Sequence, residues 1–132
     1  AAGGSIEVLP LELSSPHSVL RFCTEVRKKH AVVDTLLCSG AEILAEPVLT
    51  DDGIDKAFAT NVLGSYGLIR ALEPALLQSQ DPRVVLVGSR LERKGSQFSI
   101  EALEKSSGRS LLPDGHVMKD GMEHYAITKR AL

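Results

Sequence analysis

The sequence predicts an α/β protein built on a doubly wound parallel sheet, because short apolar runs alternate along the chain with segments of helical periodicity. The predicted strands are residues 6–11, 31–38 and 83–88. The last two are nearly continuous aliphatic runs, a pattern typical of strands that are buried on both faces of a sheet. Helices between such strands form right-handed crossovers, which make consecutive strands parallel.

Two helices are predicted between these strands. Ser15 and the proline after it are typical of an N-cap and a first turn, and the basic residues 27–29 suit a last turn, where the helix dipole favours positive charge. A long second helix is predicted over residues 54–72 and contains Gly64 and Gly67. Each glycine costs about 1 kcal/mol in a helix relative to alanine, so we expect another element to pack closely against this helix.

Ligands of doubly wound sheets bind at the carboxyl ends of the strands. Six residues lie just past the predicted strands and are expected at this edge: Glu12, Leu13, Ser39, Gly40, Ala41 and Ser89. Residues 91–122 are polar and contain four glycines and one short helical patch at 100–105, so we interpret this segment as an insertion over the site. A last helix is predicted from Met122 to the end of the chain.

The composition excludes several classes of function. The net charge is −2 and the basic residues are scattered, so no surface that would bind nucleic acid is predicted. The two cysteines have no metal-ligand spacing, so no metal site is predicted and a reducing, cytoplasmic compartment is favoured. No apolar stretch approaches the roughly 20 residues that cross a bilayer, so no membrane segment is expected in this piece. The sequence does not decide whether a membrane anchor precedes this piece or whether the protein forms a homo-oligomer.

Tyr125 and Lys129 are candidates for acid–base chemistry because they lie four residues apart in the last predicted helix. Side chains at this spacing share a helix face, so the ammonium can sit beside the phenol. A nearby positive charge favours the phenolate, which makes the group a better proton donor and acceptor toward an alcohol or ketone. Because many solvated helix faces carry the same spacing, a purely structural pair is the alternative.

Ser89 and Asn61 are weaker candidates when each is taken alone. Ser89 closes a predicted strand, where its hydroxyl could hydrogen-bond a substrate oxygen or could simply cap a loop. Asn61 lies inside the long helix, which is an unfavourable place for asparagine unless its amide has a specific partner. The alternative for Asn61 is a side chain that faces water.

Order and spacing of these four residues are similar to those of a known family. The chain resembles the short-chain dehydrogenase/reductases in the segments VDTLLCSGA, LTDDGIDKAFATNVLGSYGL, RVVLVGS and YAITK. Within that family it is most similar to the retinol-dehydrogenase-like branch, whose members also place a long stretch between the strand-end serine and the tyrosine, here 36 positions. The resemblance implies a single, partial Rossmann-like domain over residues 1–132, with the first strands and the C-terminal part of the fold missing.

The resemblance also implies an enzyme that transfers a hydride between NAD or NADP and a small-molecule carbonyl or alcohol. It makes Tyr125 the general acid/base, and it makes Lys129 the residue that lowers the pKa of the phenol and holds the nicotinamide ribose. Ser89 would orient the carbonyl and Asn61 would steady a proton-relay water. The cofactor-binding residues that it implies are Glu12, Leu13, Ser39, Gly40, Ala41, Asn61, Tyr125 and Lys129.

Several features depart from the family pattern. The chain has no glycine-rich turn of the G-x-x-x-G-x-G type, and the turn usually written NNAG is Cys38–Ser39–Gly40–Ala41 here. Glu12 stands where an aspartate is usual. A second hypothesis is therefore a truncated, non-catalytic interaction module or a gene-model fragment.

A third hypothesis makes Cys38 the nucleophile of a hydrolase, because it lies at a strand end before Ser39 and Gly40. The glycine that such a turn needs two residues earlier is replaced by Leu36, and no histidine has a recognisable partner. All four histidines are interpreted as solvated or loop residues: His17, His30, His116 and His124.

Overall fold

A computed structural model describes residues 3–95, 98–106 and 120–132 of the chain. The described elements are, in order, α1 (Pro16–Lys29), β1 (Thr35–Cys38), α2 (Lys56–Phe58), a π-helical turn (Ala59–Leu63), α3 (Gly64–Leu76), β2 (Arg83–Leu86), a 3-10 turn (Arg90–Lys94), α4 (Ile100–Lys105) and α5 (Gly121–Ala131). No helix within these residues is both long enough and apolar enough to span a bilayer.

The sheet is parallel, as the alternation of strands and helices predicts. Thr35 pairs with Arg83, and the register runs on to Cys38 opposite Leu86. One further hydrogen bond, from Val87 N to the Cys38 carbonyl at 3.1 Å, extends the ladder past β2. Because parallel strands end at the same edge, the residues after β1 and after β2 emerge side by side.

Two predictions about strands are wrong. Residues 6–11 do not form a strand, because no described segment pairs with them, and the side chains of Ile6 and Val8 are 96% and 87% exposed. The strands are also not buried on both faces, since every residue of β2 is exposed and β1 buries only Cys38 fully. Among the described residues, α1 and α3 form a core with β1 that covers one face of the sheet.

Helix α1 begins and ends as its sequence predicts. The Ser15 side chain accepts a hydrogen bond from Ser18 N at 3.3 Å, Pro16 is the first helical residue, and the last turn carries three basic residues. Its apolar stripe, which includes Val19 and Cys23, packs against Leu68 and Leu72 of α3. This contact fixes the helical layer behind the sheet.

The long second helix is interrupted by a π-helical turn, which the sequence did not predict. Asp55 caps its start by accepting a hydrogen bond from Phe58 N at 2.8 Å. Residues Ala59–Leu63 then form the π turn, in which Gly64 N donates to the Ala59 carbonyl five residues earlier. Such turns insert one extra residue into a helix and occur frequently at functional sites. Here the inserted turn carries Asn61.

The two glycines predicted to allow close packing do so. A Cβ atom on Gly64 would lie 2.7 Å from the Leu13 carbonyl oxygen, and one on Gly67 would lie 3.2 Å from a Val19 methyl group. The chain that precedes α1, and α1 itself, therefore pass directly over the long helix. The cost of glycine in a helix is offset by this contact.

Helix α5 is held by backbone contacts that only glycine permits. A Cβ atom on Gly121 would overlap the Leu44 carbonyl, and one on Gly95 would lie 2.9 Å from the backbone between Ala126 and Ile127. The buried Ile127 side chain packs with Phe58, whose ring stacks on Phe98 at a centroid distance of 5.9 Å. The loop after β1, the long helix and the 3-10 turn thus all contact α5.

The predicted insertion is described only in part. The helical patch expected at 100–105 is confirmed as α4, and the last helix begins one residue before the predicted Met122. Residues 107–119 lie outside the described residues, so the interpretation of 91–122 as an insertion over the site stays a prediction.

We expect Gly64→Ala to destabilise the chain by about 1–2 kcal/mol, although alanine is the better helix former by about 1 kcal/mol. The reason is that the added methyl group would meet rigid backbone at Leu13. Gly67→Ala in the same helix is the matched control, because its neighbour is a side-chain methyl group that can shift. Urea unfolding followed by circular dichroism would measure both, and equal stability of the two variants would contradict the prediction.

Candidate active site

The carboxyl edge of the sheet is open. Ser39, Gly40 and Ala41 follow β1 and are all exposed. At Gly88, after β2, no described atom lies within 4 Å of where a Cβ would stand. A ligand could approach the backbone at Gly88, whereas a Cβ atom on Gly40 would lie 2.7 Å from the Leu13 side chain.

Lys129 lies buried beside this edge. Its Nζ donates a hydrogen bond of 2.8 Å to the carbonyl of Val87, just past β2, and the residue is only 4% exposed. The same Nζ lies 5.9 Å from the centroid of the Tyr125 ring, as expected for residues four apart in a helix. Burial lowers the pKa of the Lys129 ammonium from its ordinary value. A solvated surface pair is therefore the wrong interpretation for Lys129, whereas Tyr125 is half-buried.

Ser89 lies at the turn that packs against α5. It caps the 3-10 turn, and its Oγ accepts a hydrogen bond of 3.2 Å from Leu91 N. The contact between that turn and α5 includes a hydrogen bond of 3.4 Å from Arg130 to the Gly95 carbonyl. Capping uses an acceptor position of the Ser89 hydroxyl and leaves its hydrogen able to donate to another group.

Asn61 is fully buried and does not face water. Its Oδ1 accepts from Glu42 N at 2.8 Å, and its Nδ2 donates to the Glu42 carbonyl at 3.0 Å and to Thr128 Oγ1 at 2.9 Å. The unfavourable position of an asparagine within a helix is explained by these three bonds. One amide joins the loop after β1, the π turn and α5.

Thr128 was missed by the sequence analysis. Its hydroxyl donates to the Tyr125 carbonyl at 2.8 Å while it accepts from Asn61. The residue stands between Tyr125 and Lys129 in YAITK. This position beside the candidate pair is the sequence feature that could have identified Thr128. Its partner lies 67 positions away in the chain, and no local pattern indicates that distance.

His124 is not solvated, and that prediction is wrong. Its Nε2 lies 3.0 Å from Asp55 Oδ1 and 2.9 Å from Oδ2, and the two side chains are 2% and 3% exposed. Its side chain turns toward the N-terminus of the long helix because α5 packs against that helix. His17 and His30 are exposed as predicted, and His116 lies outside the described residues.

Glu12 and Leu13 behave differently from each other. The Glu12 carboxylate is exposed and accepts hydrogen bonds from Ser14 N at 3.0 Å and Ser14 Oγ at 2.8 Å, which lower its pKa. Leu13 instead packs against the core formed by α1, β1 and α3. Glu12 thus lines a cleft together with Ser14 and Lys56, whereas the side chain of Leu13 is committed to packing.

Cys38 does not have the features of a nucleophile. It is buried in the core between β1 and α3, and that burial raises the pKa of its thiol. A raised pKa disfavours the thiolate, which is the reactive form. The hydrolase hypothesis is therefore disfavoured. No group of three metal-ligating side chains occurs among the described residues.

Three clefts lie near these elements. One of about 330 Å³ lies between the 3-10 turn and the start of α5, lined by Leu91, Lys94, Asp120, Met122 and Glu123. A second, of about 350 Å³, is lined by the candidate Glu12 together with Ser14 and Lys56, and a third, of about 280 Å³, lies between α1 and the long helix. The first and the third are lined by none of the candidate residues, but the first adjoins both Ser89 and Tyr125 in sequence.

We expect Asn61→Leu to destabilise the chain by about 2–4 kcal/mol, because it leaves the buried polar partners at Glu42 and Thr128 without their hydrogen bonds. Gln78→Leu, which replaces an exposed amide by the same side chain, is the control and should change stability little. The measurement is the denaturant midpoint of each variant. A midpoint for Asn61→Leu close to that of the control would show that the amide contacts contribute little.

No protein-family model matches the chain. Among curated relatives, the Bos taurus dehydrogenase/reductase SDR family member 12 is 39% identical over 79 residues, which are 60% of this chain and 25% of the relative. The human 3-keto-steroid reductase/17-beta-hydroxysteroid dehydrogenase 7 is 37% identical over 89 residues, covering 67% and 24%. The chain thus spans about a quarter of the length of the relatives it matches.

Solved structures show the same fold. An uncharacterized protein from Mycobacterium paratuberculosis superimposes with a TM-score of 0.71 at 27% identity, over 97% of this chain and 41% of that one. A short-chain dehydrogenase from Streptomyces avermitilis has a TM-score of 0.61 at 18% identity, over 93% and 38%. The parallel sheet with its helical layer is thus part of a doubly wound, Rossmann-like fold. The named relatives show that the chain, a partial piece, belongs to the short-chain dehydrogenase/reductase family.

Proposed function

We propose that this protein is an NAD(P)-dependent oxidoreductase that interconverts a carbonyl and an alcohol on a small-molecule substrate. The observation that carries the proposal is the buried Lys129 ammonium, held by the Val87 carbonyl at the sheet edge and lying beside the Tyr125 ring. A buried cation is costly, so its retention at an open strand end supports a functional role for Lys129. Membership of the retinol-dehydrogenase-like branch stays a prediction.

The residues at the sheet edge fit a nicotinamide cofactor. Small, exposed residues follow β1, and open space lies at Gly88, so a dinucleotide could approach the backbone. The Pseudomonas aeruginosa RhlG structure, which has a TM-score of 0.62 at 19% identity, is an NADP complex. When bound, the nicotinamide supplies or accepts the hydride. In this proposal Ser39, Gly40, Ala41 and Glu12 line the cofactor site.

Lys129 has hydrogen-bond donors to spare for this role. An ammonium has three hydrogens, and the Val87 carbonyl takes one of them. The remaining two can donate to a ribose hydroxyl and toward the Tyr125 phenol. Since the site is partly desolvated, the positive charge stabilises negative charge on the phenol oxygen more strongly than it would in water.

Tyr125 would exchange the proton with the substrate oxygen. In the reductive direction its hydroxyl donates to the oxygen of the carbonyl as that oxygen becomes an alkoxide, and the proton returns in the oxidative direction. Ser89 can donate its hydroxyl hydrogen to the same substrate oxygen and orient it. The cleft between the 3-10 turn and α5 is the space that we assign to the substrate.

Asn61 would act chiefly by positioning. Both hydrogens of its amide are taken by Glu42 and Thr128, so only the second lone pair of Oδ1 is available to a water. A role in a proton relay would depend on that lone pair or on the backbone of the π turn.

A non-catalytic module is the second candidate, because the turn after β1 reads Cys38–Ser39–Gly40–Ala41 where the family usually has NNAG. Titration with NAD and NADP, followed by calorimetry, separates the two candidates. Binding of either cofactor supports the enzyme, and a folded protein that binds neither supports the module.

The compartment is part of the same proposal. Cys23 and Cys38 are both free and buried, as is typical of proteins in a reducing compartment. Together with nicotinamide chemistry this favours the cytoplasm.

We expect Tyr125→Phe to abolish turnover in the full-length protein while leaving cofactor affinity nearly unchanged, because the substitution removes the proton-carrying hydroxyl and keeps the ring. Tyr66→Phe is the control, since Tyr66 is 61% exposed on α3 and is not a candidate residue. Steady-state rates with a carbonyl substrate panel and cofactor fluorescence titration give the two measurements. Retained turnover in Tyr125→Phe would refute the assignment.

We expect Lys129→Met to weaken cofactor binding and to remove a pH dependence of stability. Because burial lowers the pKa of folded Lys129 below its ordinary value of 10.5, unfolding takes up a proton between the two pKa values. Lys129 should therefore contribute a rise of stability with pH through that window in the parent, and Lys129→Met should lack this contribution. Lys105→Met, at an exposed lysine on α4, should keep the rise. Denaturant midpoints between neutral pH and 10.5 would measure this, and an unchanged slope in Lys129→Met would contradict it.

A further inference from the structure

We propose that His124 and Asp55 form a positioning pair that sets the rotation of α5 and thereby holds Tyr125 and Lys129 at the carboxyl edge of the sheet. The inference rests on the function proposed for Tyr125. His124 directly precedes Tyr125 in α5, and Asp55 caps the long helix that carries Asn61. The pair is thus a direct link between the two helices that bear the candidate residues.

The contact between His124 and Asp55 lies in the protein interior. Both side chains are almost completely excluded from solvent, and Nε2 lies within hydrogen-bond distance of both carboxylate oxygens. Asp55 Oδ1 also accepts from Phe58 N at 2.8 Å, so the carboxylate orientation is fixed independently of the histidine. A histidine that must meet a fixed acceptor has little freedom to rotate, and neither does the helix that bears it.

The helical geometry connects this contact with the candidate pair. His124 and Thr128 are four residues apart on the buried face of α5, and they bind Asp55 and Asn61 respectively. Tyr125 and Lys129 follow each of them by one residue, so they lie about 100° further round the helix. Together with the backbone contacts at Gly95 and Gly121, these two buried hydrogen bonds one turn apart restrict the rotation of the helix, and loss of one of them weakens that restraint.

The chemistry of the pair determines which ring nitrogen of His124 carries the hydrogen that is donated to Asp55. A carboxylate can only accept, so Nε2 carries the hydrogen that is donated to Asp55. Among the described residues, Nδ1 is buried without a hydrogen-bond partner. The pair thus presents an N–H donor at Nε2 to the carboxylate oxygens of Asp55.

The test uses Tyr125 itself as the reporter. The chain has two tyrosines and no tryptophan, so in a Tyr66→Phe background the tyrosine fluorescence comes from Tyr125 alone. His124→Leu removes the donor, and His124→Gln can restore an N–H near the position of Nε2. Asp55→Asn combined with His124→Leu removes the link without leaving an unpaired buried carboxylate. His17→Leu, at an exposed histidine of α1, is the matched control.

We expect iodide quenching of Tyr125 to rise toward that of free tyrosine amide in His124→Leu and in the double variant, and to stay at the parental value in His124→Gln and His17→Leu. In the full-length enzyme, kcat should fall by roughly 10- to 100-fold in the two loss variants with little change in KM for the cofactor. Parental quenching in the folded double variant would overturn the proposal. If Tyr125→Phe stays active, the proposed function fails, whereas the quenching comparison still decides the positioning role.

Discussion

The hydrogen bonds of the Asn61 amide are the interaction on which the candidate site depends. Through one side chain the loop at Glu42, the π turn and helix α5 are held together in the interior. Buried amides of this kind are strongly directional, because every donor and acceptor must be satisfied at once. Tyr125 and Lys129 have a defined place relative to the sheet edge because the helix that carries them is tied to the helix that carries Asn61.

The π turn is what brings Asn61 into reach. It replaces one α-helical turn between α2 and α3, so the residues before and after it are rotated relative to a continuous helix. On one side of the turn Asp55 meets His124, and on the other side Gly64 allows the chain at Leu13 to approach. Contacts on both sides would be out of register in an uninterrupted helix.

Local patterns were sufficient to predict the helices and the candidate pair. Ser15 and Pro16 predicted where α1 begins, and the spacing of Tyr125 and Lys129 predicted a shared helix face; both are seen. The predictions that were wrong concern residues whose structure depends on partners far away in the sequence. The segment 6–11 has strand composition, but pairing requires a neighbour that the described residues do not provide. His124 carries no local sign of burial, because its partner Asp55 is 69 positions away.

The inserted residue within the long helix also limits how this region of the chain can change length. Adding one more residue between Phe58 and Gly64 with ordinary α-helical winding would turn α3 by about 100° against α2. Hydrophobic residues of α3 would then leave the core beside α1, and polar ones would enter it. The number of residues separating the aspartate cap from the glycine is therefore under as strict a constraint as the chemical identity of either.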